Sequence, residues 1–288
     1  MSYLPIYSPY GAKFIHFQII YRYIAPTGHN CHVLKLSYFQ ITTFSNSHVF
    51  KFSRFQIIKL TRLHIDLLTQ YAPHFASVIA FDWHKDPYVV LDFSAQNSEL
   101  ESVDLQNSQT FTDYVFGKLQ QANASVGVGG YDEHRIIYRR SAHFQQTTEP
   151  RCIHLGIDIW AKAGTSIYAP LAAKVHSFAN NANFGDYGPT IILEHQLGEQ
   201  TFFSLYGHLS LESLSDLFEG KRIEKGQKIA EIGHFPINGD WPPHLHFQLI
   251  TDMLGMKGDF PGVCTLRERQ NFLQLCPNPN LILQIPKL

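Results

Sequence analysis

From Cys152 onward the sequence breaks into short runs of β-branched and aromatic residues, and this punctuation constrains the fold more than any other feature. The runs cover 153–160, 166–169, 173–178, 190–194, 201–206, 228–232 and 244–250. Gly, Pro, Asn and Asp separate them, as at 183–189 and 237–243. Many short strands at close spacing predict a mainly β fold with an antiparallel sheet core. Two stretches, Gly164-Thr-Ser-Ile-Tyr-Ala-Pro and Gly226-Gln-Lys-Ile-Ala-Glu-Ile, look alike enough to read as hairpin arms. Residues 251–288 carry Pro261, Pro277, Pro279 and Pro286 and read as an irregular wrap around this core.

Upstream the texture differs. Residues 66–150 read as a small mixed α/β region, with helical patterns at 64–71 and 114–122 and a short strand at 89–93. Gly127 to Gly130 reads as a flexible break, and 145–150 as a polar loop into the β-rich block. The first 65 residues hold seven Lys or Arg and no acid before Asp66. They show no sustained helical or strand period, and are expected to be a disordered extension or a start site placed too far upstream. The apolar stretch from Phe14 is broken by His16, Gln18 and Arg22, so it is too polar to span a bilayer. No secretory cleavage site follows it, which points to the cytoplasm.

Charged residues make up 16% of the chain and the formal net charge is -1, so nothing global points to nucleic acid as partner. Cys31, Cys152, Cys264 and Cys276 form no C-x-x-C pair; they read as free thiols rather than a structural zinc site or a disulfide scaffold.

Three polar clusters stand out inside the β-rich block: His154-Leu-Gly-Ile-Asp158, Tyr206-Gly-His208-Leu209 and Pro243-His244-Leu-His246-Phe247. In the last, strand alternation sends His244 and His246 to one face, roughly 7 Å apart at Cα, while Leu245 and Phe247 enter the core. His154 and Asp158 would lie roughly 13 Å apart on a straight strand, too far to share one ion. The chain must therefore bend near Gly156, which could permit a bulge. Two histidines and one carboxylate leave a zinc site with an open position for water, a catalytic arrangement. No H-E-x-x-H motif supplies a glutamate base, and His208 and His244 are the natural substitutes. His134, His143, His176, His195 and His234 are read as structural, with His195 a lesser option as a hydrogen-bond partner of the site.

The order H-x-x-x-D, Y-x-H-L, H-x-H-F resembles the lysostaphin and LytM-like family of zinc metallopeptidases over residues 150–250. The resemblance implies an antiparallel β-sheet with a central groove, one Zn2+ and endopeptidase activity on peptidoglycan stem or bridge peptides. It implies His154, Asp158 and His246 as metal ligands and His208 and His244 as catalytic histidines. A cell-envelope location is implied too, against the cytoplasmic reading above. Two features depart from the common pattern. The segment Pro236-Ile-Asn-Gly-Asp-Trp-Pro-Pro243 puts Trp241 and prolines on the groove wall. Gly129-Gly-Tyr-Asp-Glu-His-Arg135 is similar to text in a subgroup with members joined to aminotransferase-type enzymes, which implies a small-peptide or modified-amine substrate instead. The competing readings are a catalytically silent module of the same fold and a sugar-transport phosphocarrier, against which Asp158 argues.

Overall fold

The structure is a computed structural model, and it describes residues 40–44, 47–51, 64–145, 149–286 and 288. It divides into two compact units, 1–60 and 61–288. In the first, β1 (Gln40–Phe44) and β2 (Ser47–Lys51) pair as an antiparallel hairpin. The rest of the acid-free segment, with Cys31, lies outside the described residues.

The second unit is built on an eight-stranded sheet. In chain order its strands are β3 (Tyr88–Leu91), β4 (Val126–Gly129), β6 (Ile157–Trp160), β8 (Ala173–Asn181), β9 (Gly188–Leu197), β10 (Gln200–Gly207), β11 (Arg222–Ile223) and β13 (His244–Ile250). Their spatial order is β11-β8-β9-β10-β13-β6-β4-β3. Every pairing is antiparallel except β3 with β4. Two small ribbons complete it: β7 (Ser166–Tyr168) with β12 (Lys228–Glu231), and β5 (Arg151–His154) with β14 (Val263–Thr265). The two look-alike stretches of the sequence are thus the two arms of one ribbon. The expected strands appear with ends shifted by a few residues, and the fold is mainly β as the punctuation predicts.

The long run 153–160 is two strands. β5 ends at His154 and β6 begins at Ile157, each with different partners, so the backbone leaves strand geometry at Leu155 and Gly156 as the spacing requires. On β13 the alternation holds. Leu245, Phe247 and Leu249 enter a core with Ile157, Ile159, Leu193 and Tyr206, while His244 and His246 take the other face.

The reading of Gly127–Gly130 as a flexible break was wrong. Val126–Gly129 is a strand buried along its whole length. Its glycines serve close approach: a Cβ on Gly127 would sit 2.9 Å from Leu119 Cδ1 and Leu91 Cδ1, and one on Gly129 would sit 2.6 Å from Arg135 Nη2. Helix α1 covers residues 64–71 as predicted. Helix α2 (Ser108–Gln121) starts six residues earlier than its apolar pattern, because Asn107 caps it by accepting from Thr110 N at 3.0 Å. Phe111, Val115 and Leu119 recur along its buried face.

Residues 251–288 hold β14 and two short helices, α3 (Arg269–Leu275) and α4 (Asn280–Leu283). Cys264 and Cys276 are buried there beside Ile153 and Leu155, Cys152 is half-buried, and all three are free thiols. Among the described residues no helix is long and apolar enough to cross a membrane.

The 66–150 region shares a core with the β-rich block. Phe111 is fully buried, with ring centroids 6.0 Å from Phe93, 6.1 Å from Trp160 and 6.3 Å from Trp241. Phe111→Ala is therefore expected to cost about 3–5 kcal/mol. Urea denaturation followed by tryptophan fluorescence and by circular dichroism should show one coincident transition, shifted down; early unfolding of α2 alone would contradict the shared core.

Candidate active site

Strand register assembles the centre. His246 on β13 lies opposite Asp158 on β6, and His244 lies opposite Trp160. In antiparallel sheet such partners stand about 4.5–5.5 Å apart, so alternation alone brings His246 and Asp158 together. The row continues to Gly207 on one side and Gly129 on the other. A Cβ on Gly207 would meet the Tyr187 ring at 2.5 Å, so both glycines leave room for large side chains beside the polar pair.

His154 arrives from β5 through the bend. Gly156 matters here because a Cβ there would lie 2.5 Å from His246 Cε1 and 2.8 Å from the Phe247 carbonyl. His154, Asp158 and His246 are all buried, and one ligand atom from each lies within 4.8 Å of the others. His154 Nε2 is 3.0 Å from His246 Nδ1, and Asp158 Oδ1 is 3.2 Å and 3.1 Å from those two nitrogens.

The outer hydrogen bonds decide which ring nitrogens carry protons. His154 Nδ1 faces the Gly130 carbonyl at 2.8 Å, so it must donate, leaving Nε2 bare. Gln248 Nε2 donates to the Pro261 carbonyl, which fixes its Oε1 as acceptor for His246 Nε2 at 2.9 Å and leaves His246 Nδ1 bare. Two bare imidazole nitrogens and a carboxylate oxygen therefore face one another with no proton between them. Burial, then the Arg135 cation, pushes His154 down to about 3 despite Asp158. Burial alone would raise Asp158, but His154 and Arg135 hold its carboxyl well below the usual range. Such a donor set suits a divalent cation, and the N2O chemistry suits zinc.

His208 and His244 stand beside it with ring centroids 4.1 Å apart. His208 Nδ1 donates to the Asn238 carbonyl and His244 Nδ1 to the Pro242 carbonyl, both at 2.8 Å. Each ring therefore keeps a bare Nε2, and His244 Nε2 lies 3.9 Å from Asp158 Oδ1. Burial drives His244 down to about 4 and, with the His244 and His246 rings, holds His208 well below its ordinary value. His208 takes a left-handed φ of 62°, an uncommon conformation for a non-glycine residue, held by hydrogen bonds to Tyr187 and Gly233. Trp160 stacks on His244 at 4.0 Å and 19°.

Four of the five expected residues, Asp158, His208, His244 and His246, line one cavity, and His154 joins them through its contacts with Asp158 and His246. Trp241 lines it, as its place in the sequence suggested. Arg135 was missed as a functional residue. It is buried, donates from Nη1 to Asp158 Oδ2 at 2.5 Å, from Nη2 to the Gly130 carbonyl at 3.2 Å and from Nε to Glu133 Oε2 at 2.7 Å. The G-G-Y-x-E-x-R text carried that signal, as the same carbonyl also orients His154. His143, read as structural, lines the cavity too. His195 does not reach it: its nitrogens meet the Ala172 carbonyl and Ser204 Oγ, and burial lowers it to about 4.

Four buried neutral histidines, His154, His195, His208 and His244, give the metal-free protein a defined acid response. Each is neutral in the fold, yet takes a proton in the unfolded chain below about pH 6.5. The unfolded state binds more protons in that window, so stability falls as pH falls from about 6.5 towards about 4. The slope reaches about 1.4 kcal/mol per pH unit per histidine at most. Urea midpoints in the presence of chelator at pH 7 and pH 5 should show the loss; equal midpoints would contradict it.

Comparison with known proteins finds a family model and a set of similar solved structures. The family model described as Peptidase family M23 matches residues 152–257. Among solved structures, a zinc-containing peptidase from Vibrio cholerae is 25% identical over 34% of this chain and 27% of its own, with a TM-score of 0.26. Helicobacter pylori Csd3 is 26% identical over 43% of this chain and 32% of its own, with a TM-score of 0.28. The catalytic domain of the antimicrobial peptidase lysostaphin from Staphylococcus simulans is 22% identical over 42% of this chain and 80% of its own, with a TM-score of 0.29. The chain spans less than half the length of the first two. No curated protein matches it. The stretch matched by that family model contains all five polar positions of the candidate site.

Proposed function

We propose that the protein is a zinc-dependent peptidase, with His154, Asp158 and His246 as metal ligands and His208 and His244 as catalytic histidines. The observation that carries this reading is the convergence of three proton-free acceptors beside two neutral imidazoles with bare Nε2 atoms. Zinc held there would lower the pKa of a bound water to about 7 and polarise the scissile carbonyl.

The chain's own groups divide the remaining work. His208 and His244 each present a nitrogen able to accept a proton from the attacking water and return it to the leaving amine. Their Nδ1–H bonds to Asn238 and Pro242 fix the tautomer that this requires. Once protonated, either imidazolium would stabilise a developing oxyanion. Arg135 holds Asp158 Oδ2, which leaves Oδ1 as the oxygen presented to the cation. The family resemblance supports peptidoglycan stem or bridge peptides, or a related peptide, as the substrate class.

Asp158→Ala should abolish stoichiometric zinc, read by atomic absorption. His208→Ala should keep the metal and lower turnover of a susceptible peptide by about 10²–10⁴-fold, the usual size of a lost acid–base group. Loss of metal in His208→Ala would mean the roles are misassigned. Arg135→Gln should weaken zinc binding about 10–100-fold in a chelator competition, since partners that orient ligands contribute that much; unchanged affinity would reduce Arg135 to a core ion pair.

A further inference from the structure

The polar residues of the site are almost wholly buried. His208 is 6% exposed, while Asp158, His244 and His246 are each 3% exposed. A turn at residues 136–145, upstream of the matched domain, accounts for this, and its Tyr138, His143 and Phe144 line the same cavity as the histidines.

That turn closes a circuit of contacts around the cavity. Arg151 on β5 donates from Nη2 to the His143 carbonyl at 2.6 Å, and its guanidinium lies over the Phe144 ring. Ser141 Oγ donates to the Phe184 carbonyl at 2.7 Å, and a Cβ on Gly185 would lie 2.6 Å from Ser141 Cβ. The 184–187 loop then reaches Tyr187, which packs so closely on Gly262 that a Cβ there would overlap the phenol oxygen. Gly262 accepts from Leu155 N at 2.9 Å and Val263 pairs with His154, which returns the circuit to β5. Tyr138 and Phe144 also pack on Trp241, at 6.2 Å and 6.4 Å between ring centroids, joining the remaining wall.

A polymer cut at an internal bond must leave the reacting carbon in two directions. A cavity ringed by protein offers that path to a chain on one side only. Resting on the peptidase reading above, we infer that the enclosed cavity takes its substrate end-on: a short peptide or the free end of a longer one, not an internal segment lying across the site. Both signs of charge line the cavity, Arg151 and Asp186, matching the charged terminus of a peptide rather than an uncharged backbone.

The test uses the full chain loaded with Co(II), whose visible spectrum reports on ligands of the metal independently of turnover. One probe is a phosphinic pseudodipeptide with free termini, a stable tetrahedral mimic. The other carries the same phosphinate at the centre of an eight-residue peptide acetylated and amidated at its ends. The short probe is expected to perturb the spectrum at concentrations at least tenfold lower than the long one. In the Phe144→Ala, Arg151→Ala double variant, with stoichiometric cobalt as the check on folding, the two should come within about threefold. Equal binding of both probes to the unaltered protein overturns the inference. A long probe still excluded by a cobalt-loaded double variant overturns the role given to the turn. Cobalt bound with neither probe perturbing it sinks the peptidase reading itself, and this inference with it.

Discussion

Three lone pairs pointed at one another are electrostatically unfavourable, and the fold tolerates them only because other bonds have fixed every alternative. His154 cannot turn its Nε2 into a donor while Nδ1 is committed to the Gly130 carbonyl. His246 cannot do so while Gln248 is locked by the Pro261 carbonyl. Buried polar groups normally find partners, and a set held without protons is an arrangement that a cation relieves. The bend at Gly156, the glycines flanking the His246–Asp158 row and the left-handed His208 all serve this one geometry.

What the sequence disclosed follows from which forces are periodic. The H-x-H pair was legible because strand alternation is a property of the backbone, and the break at Gly156 because a straight strand cannot bring His154 to Asp158. Zinc-type chemistry followed from residue types at those spacings. The strand at 126–129 was not legible, because Val-Gly-Val-Gly reads locally as a flexible break, and only Leu119 and Leu91 packing onto Gly127 make it a strand. Arg135 was hidden for a related reason. The G-G-Y-x-E-x-R text marks its position, but its burial depends on Asp158, a partner 23 residues away in sequence.

The 66–150 region thereby changes character. Strand β4 pairs with the strand that carries Asp158, Gly130 just past its end supplies the carbonyl that orients His154, and Arg135 grips the Asp158 carboxylate. Trp160, stacked on His244, rests in turn on Phe93 and Phe111. Residues outside the matched 152–257 segment therefore set the tautomer, the carboxylate geometry and the enclosure of a site whose five polar groups all lie inside it.

The charge balance explains why an arginine sits there. Asp158 is buried against Arg135, and Glu133, half-buried, pairs with the same guanidinium from its other side. A buried ion pair of this kind contributes little net stability, since the cost of desolvating both ions offsets their attraction. Its value is directional. With Oδ2 occupied by a fixed guanidinium, Asp158 offers a cation one oxygen instead of two, and part of its charge is already neutralised. A dication facing two neutral imidazoles and a partly neutralised carboxylate keeps more of its own positive charge. That residual charge would acidify a bound water, so Arg135 would support the centre twice, by orienting its carboxylate and by sparing the cation's electrophilic strength.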